Sequence, residues 1–270
     1  MTARTPLAAI FAGAIATGLS ARAASLVDRA AAFVDRFERE FAVVIADERY
    51  EQRLTEGRAG HPVETTRTLE SEVMFVRIER DHTWLLVRRV KTIDSKPAPD
   101  QSAALDTLLA DGVNGTLPRL RELADENARD NLGHIERNFN DPTWVLRVFD
   151  AGIRHRFRFE EKGPGTIEYR ERETPTLIRG RGREPARSRG TVTLNAAGAI
   201  TETTLSVRFD GITADLTTRF GVDAHVGITV PLTMSERYTR RDETVTCTAT
   251  YSNFRRFETS GRMIPPKPNR

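Results

Sequence analysis

Between residues 153 and 252 apolar residues recur at every second position, and this period constrains the fold more than any other feature of the chain. Ile212, Ala214, Leu216, Thr218 and Phe220 fall in one phase, and Asp215, Thr217 and Arg219 in the other. Ile228, Val230, Leu232 and Met234 alternate against Thr229, Pro231, Thr233 and Ser235. Val245, Cys247, Ala249 and Tyr251 alternate in the same way against Thr246, Thr248, Thr250 and Ser252. Successive side chains of a strand point to opposite faces, so each run predicts a strand with one apolar and one wet face. Residues 155–159, 166–170, 191–194 and 199–209 add further strands, with Asn195-Ala196-Ala197-Gly198 as a hairpin turn. Strands wet on one side pair antiparallel, which predicts a long meander.

Helical spacing is concentrated ahead of this region. Ser25 and Asp28 form the hydroxyl-x-x-acid signature of a capping box. Behind them Leu26, Ala30, Phe33, Val34, Phe37, Phe41, Val44 and Ile45 recur at three- and four-residue spacing, predicting an amphipathic helix to about Asp47. Residues 72–80 and 83–93 read as a hairpin, with loops at 57–62 and 94–99. Residues 100–149 return to helical patterning, ending in a short turn at 143–149, and form a helical insert.

The first 23 residues carry one early charge, Arg4, an apolar stretch from Pro6 to Leu19 and the ending Ala21-Arg22-Ala23. These are the parts of a secretory signal peptide. With no cysteine at the cleavage point to carry a lipid anchor, the reading is a free periplasmic or secreted protein, of bacterial type. Residues 24–263 form a single β-rich domain, and the Pro-rich tail 264–270 is expected to be disordered. Removing Arg4 and Arg22 with the leader leaves 39 basic against 38 acidic residues, a net charge of +1. Bulk attraction to nucleic acid needs more than that. Cys247 is the single cysteine and cannot form an internal disulfide.

The fold expected is α+β and mainly antiparallel β: a curved sheet or unclosed β-barrel whose apolar face is covered by the N-terminal helix and the helical insert. A closed barrel with helices outside satisfies the same patterning. This order of elements behind an export signal resembles the LolA-like superfamily of periplasmic carriers. The segment Ala249-Thr250-Tyr251-Ser252-Asn253-Phe254-Arg255-Arg256-Phe257 is similar to exported bacterial proteins that carry no assigned site. The resemblance implies an unclosed barrel and a carrier role, and it transfers no functional residue.

Motifs for catalysis are missing. His61, His82, His134, His155 and His225 show no metal-ligand spacing, so no metal or cofactor is expected. Ala186-Arg187-Ser188-Arg189-Gly190 misses the nucleophile elbow, because Ala replaces its first glycine and a strand follows. The pairs Glu70 with Glu72 and Glu171 with Glu173 lie two apart on strands and are expected to be exposed. Cys247 reads as a core residue. Two constellations remain. The apolar sheet face of Phe75, Trp84, Leu86, Ile228, Val230, Leu232, Met234 and Tyr251 is either core or the lining for an acyl chain of a lipid or lipoprotein. Arg179, Arg181 and Arg183, with Arg187 and Arg189 behind them, lie on a Gly-rich loop that suits a solvated turn or an anionic contact. Two functions follow: a non-catalytic carrier of a hydrophobic or lipidated ligand, or an envelope protein-interaction factor without a small ligand.

Overall fold

The computed structural model describes residues 24–41, 44–57, 62–78, 83–98, 130–135, 137 and 140–256. The predicted leader, the tail and most of the predicted helical insert (101–129) lie outside these residues. Helix α1 spans Leu26–Glu40. Its capping box forms as read: Ser25 Oγ accepts from the Asp28 N–H at 3.1 Å and donates to Asp28 Oδ2 at 2.7 Å.

Strands β1 (Val44–Glu56), β2 (Val63–Ile78), β3 (Thr83–Ile93) and β4 (Lys96–Pro97) follow. Then come β5 (Phe157–Gly163), β6 (Thr166–Glu171), β7 (Ile178–Arg179), β8 (Pro185–Ala186) and β9 (Arg189–Leu194). The chain finishes with β10 (Ile200–Phe209), β11 (Ile212–Val222), β12 (Thr229–Arg240) and β13 (Glu243–Arg256). Eleven of these make one antiparallel sheet in the order β4-β3-β2-β1-β13-β12-β11-β10-β9-β6-β5, and β7 pairs with β8 apart from it. The two ends of the sheet do not pair with each other, so it is unclosed.

Two expectations are corrected. The helix ends at Glu40 rather than near Asp47, and a strand missing from the sequence reading starts at Val44. Val43-Val44-Ile45 is a β-branched run with restricted χ1, which favours extended chain. From there Val44, Ala46, Glu48, Tyr50, Gln52 and Leu54 are all buried at period two. The second correction concerns β12. Arg219 pairs with Thr233 but Phe220 pairs with Pro231, a bulge that leaves Leu232 as the extra residue. Leu232 therefore leaves the apolar phase and is 38% exposed, lying over Gly221, while Val230 and Met234 are fully buried.

The core lies on the inner face of the sheet. Phe33 and Phe37 of α1 and Phe41 at its C-cap form an aromatic row that reaches Phe220 of β11 and Phe75 of β2, and Phe75 meets Tyr251 of β13. Beside the helix a 3-10 turn, Trp144–Phe149, buries all but Arg147, and Phe149 stacks on Phe159 of β5. Burying each such phenyl ring contributes about 1.5–3 kcal/mol. The turns are set locally. Asp210 (φ 48°) and Gly211 (φ 75°) make a two-residue turn between β10 and β11, where both central residues need left-handed backbone.

Candidate functional site

The inner face of the sheet has two halves. The apolar half lies under α1 and the 3-10 turn, and contains Phe75, Val230, Met234 and Tyr251, each no more than 4% exposed. Ile228 is also buried, just before β12, and Leu86 is half-buried. The side chain of Trp84 lies outside the described residues. The structure thus brings five of the eight apolar candidates into one continuous core, and places Leu232 away from it.

The other half is polar, and no sequence reading assigned it a role. Glu48, Tyr50 and Gln52 of β1, Arg88 of β3, Glu236 and Tyr238 of β12 and Cys247 of β13 all point inward. Arg88 grips Glu48 through two bonds, Nε to Oε2 at 2.6 Å and Nη2 to Oε1 at 3.0 Å, and its guanidinium lies 5.4 Å from the Tyr50 ring centroid. Burial disfavours the Arg88 charge, but the Glu48 carboxylate outweighs it and holds the guanidinium protonated.

Irregular backbone at residues 130–135, 137 and 140–141 lies over this half, and side chains of the sheet complete its hydrogen bonding. Leu132 N–H donates to Gln52 Oε1 at 2.9 Å and His134 N–H to Glu243 Oε1 at 2.8 Å. The carbonyl of Asp130 accepts from Arg67 Nη1 at 2.9 Å. Arg137 comes from the segment itself and is 2% exposed. Its Nη2 donates to Gln52 Oε1 and to the Leu132 carbonyl, both at 2.9 Å. Its Nη1 donates to Cys247 Sγ at 2.9 Å, and the guanidinium lies over the Tyr238 ring. Buried irregular backbone is tolerated only when partnered in this way.

Glu236 accepts from the Tyr238 hydroxyl, while its Oε1 and the Tyr251 hydroxyl have no hydrogen-bond partner among the described residues. Burial raises the Glu236 carboxyl, opposed by the Tyr238 hydrogen bond and the charges of Arg137 and Arg88. Burial, together with the Glu236 charge, pushes the Cys247 thiol up to about 12, which suits the core role read from its strand position. One signal was available in the sequence: ionisable residues stand in the apolar phase of their strands, as Glu236 does between Met234 and Tyr238. Arg137 gave no such signal, since only the path of the segment carries it inward.

The remaining candidates fall elsewhere. Ser188 is 1% exposed, and its Oγ donates to Glu171 Oε2 at 3.0 Å in place of a histidine. Glu171, expected to be exposed, is buried, because its carboxylate closes the base of the β7–β8 hairpin by accepting from the Leu177 and Ser188 N–H groups. Glu72 is half-buried between Arg89 and Arg255, whereas Glu70 is exposed. Arg179, Arg181 and Arg183 are exposed on that same hairpin.

No family model matches the chain, and no curated protein matches it. Among solved structures it is similar to a LolA superfamily protein from Nitrosomonas europaea, at 9% identity over 87% of this chain and 93% of that one, with a TM-score of 0.35. A DUF1329 family protein from Desulfovibrio piger aligns at 10% identity over 86% and 94%, with a TM-score of 0.37. An outer membrane lipoprotein-sorting protein domain from Vibrio parahaemolyticus aligns at 12% identity over 85% and 92%, with a TM-score of 0.31.

Proposed function

We propose that this is an exported, periplasmic, non-catalytic protein that carries a hydrophobic or lipidated ligand against the inner face of its unclosed sheet. The observation that supports this reading most is the asymmetry of the core. Among the described residues one side is a continuous sheet, and the other is a helix, a 3-10 turn and irregular backbone. α1 meets the apolar half through side chains, among them Phe33, Phe37 and, at its C-cap, Phe41. An acyl chain replaces such contacts in kind, at about 0.8 kcal/mol per buried CH₂. Entry requires the helix to move, because Phe75, Val230 and Met234 are already covered.

The test is native mass spectrometry of protein recovered from a periplasm without detergent, followed by organic extraction. The expected result is a stoichiometric lipid-sized adduct, lost on extraction. A clean apoprotein mass, with no uptake of an added fluorescent fatty acid, overturns the carrier reading. It would favour the second reading, an envelope interaction factor without a small ligand. The observation behind that alternative is the same filled core.

A further inference from the structure

The β7–β8 hairpin holds a row of arginines in solvent on a rigid base. Between Arg179 and Arg189 the chain carries five arginines and one acid, Glu184, although the protein as a whole is close to neutral. Arg179, Arg181, Arg183 and Arg187 are exposed, and among the described residues no carboxylate forms an ion pair with any of them. The sequence reads as a Gly-rich loop, and the structure roots it at both ends. Ile178 and Ala186 are buried. Thr176 Oγ1 donates to the Ile178 carbonyl at 2.5 Å and accepts from the Ala186 N–H at 3.0 Å. Buried Glu171 ties in Leu177 and Ser188. At the tip the Asp210 carboxylate, from the turn between β10 and β11, accepts from the Arg181 N–H at 2.9 Å. Gly182 and Arg183 both take left-handed backbone (φ 64° and 66°), an arrangement an L side chain resists.

We infer that this hairpin docks the protein on an anionic phospholipid surface, its guanidiniums forking onto headgroup phosphates. The make-up of the hairpin selects this occupant. The exposed residues of the hairpin from Arg179 to Arg187 include no aromatic to stack on bases, as single-stranded nucleic acid binding requires. Nor do they include an aromatic or large aliphatic side chain to fill a pocket at the centre of a protein interface, where arginine hot spots usually have such neighbours. Several guanidiniums without an anchor suit a fluid array of phosphates, where each contact adds separately. The inference goes beyond the carrier reading and does not depend on it.

Co-sedimentation with vesicles tests it, using protein recovered from the periplasm. Vesicles of phosphatidylcholine with about 30% phosphatidylglycerol are compared with phosphatidylcholine alone, at about 0.05 M and about 0.5 M salt. Binding is expected only to the anionic vesicles at low salt. The combined variant Arg179→Gln, Arg181→Gln, Arg183→Gln should weaken it by about 100-fold without changing the melting temperature, since all three side chains are exposed. Replacing the same three by Lys keeps the charge but removes the forked donors, and should bind more weakly than the parent and more tightly than the Gln variant. Equal binding to both vesicle types, or a Gln variant that binds like the parent, overturns the inference. So does retention on an acidic polypeptide or nucleic acid with no binding to vesicles. None of these outcomes bears on whether an acyl ligand is extracted from the core.

Discussion

Glu236 and Cys247 show how a residue's neighbours decide its chemistry. Both stand in the apolar phase of a strand, yet one is a carboxyl that burial makes harder to ionise and the other a thiol held back in the same way. A glutamate whose folded value is raised contributes stability that is fully present below its ordinary value of 4.5 and is lost as pH rises through the folded value. Glu236→Gln keeps the shape and an acceptor for Tyr238 but removes this titration. Urea unfolding of parent and variant should therefore show the Gln form gaining relative stability as pH rises from 4.5 to the folded value, and no further change above it. A difference that does not change with pH would show that Glu236 is ionised as easily folded as unfolded. For Cys247, a thiol pushed up to about 12 holds little thiolate at pH 8. Maleimide labelling of the folded protein should be slower than of the unfolded chain by about 1,000-fold.

At the scale of elements, close approaches and covering contacts carry the sheet. Gly190 of β9 lies opposite Tyr169 of β6, whose hydroxyl reaches past it to the Thr204 carbonyl at 2.8 Å. A Cβ at Gly190 would sit 1.9 Å from that carbonyl oxygen and 2.8 Å from the tyrosine hydroxyl. Backbone cannot yield as a side-chain tip can, so Gly190→Ala should cost about 3 kcal/mol in chemical denaturation. The helix has the opposite sensitivity. Phe37 touches Phe33, Phe41 and Phe220 and is 2% exposed, so Phe37→Ala should lower stability by about 3–5 kcal/mol. If α1 is also the part that moves for a ligand, the same variant should take up a fluorescent fatty acid faster than the parent.

At the scale of the whole molecule, the pairing of β1 with β13 joins the two ends of the described chain. Tyr50 lies opposite Ala249, and the ladder runs from Val44↔Arg256 to Glu56↔Glu243. Contacts so distant in sequence close large loops before any reward, so refolding should be slow, on the order of milliseconds to seconds in stopped-flow fluorescence. A chain ending after Arg240 leaves β1 and β12 without their shared neighbour and should not fold cooperatively. Ligand linkage operates on the same scale. If the carrier reading holds, a fatty acid at about 100 times its Kd should raise the unfolding free energy by about 2.7 kcal/mol.

Local repetition was legible in the sequence. The capping box of α1, the strands after residue 153, their inward phase and the Asn195–Gly198 turn could be read directly, because side-chain period and turn chemistry act between near neighbours. The apolar half of the inner face followed from the same period, apart from Leu232. Tertiary structure alone decided what depends on distant partners. The competition between helix and strand at Val44 was settled by pairing with β2 and β13. The exit of Leu232 was settled by a bulge against β11. The polar half required Arg88 and Arg137 to arrive from elsewhere in the chain, since a buried carboxylate or amide is tolerated only where such partners meet it.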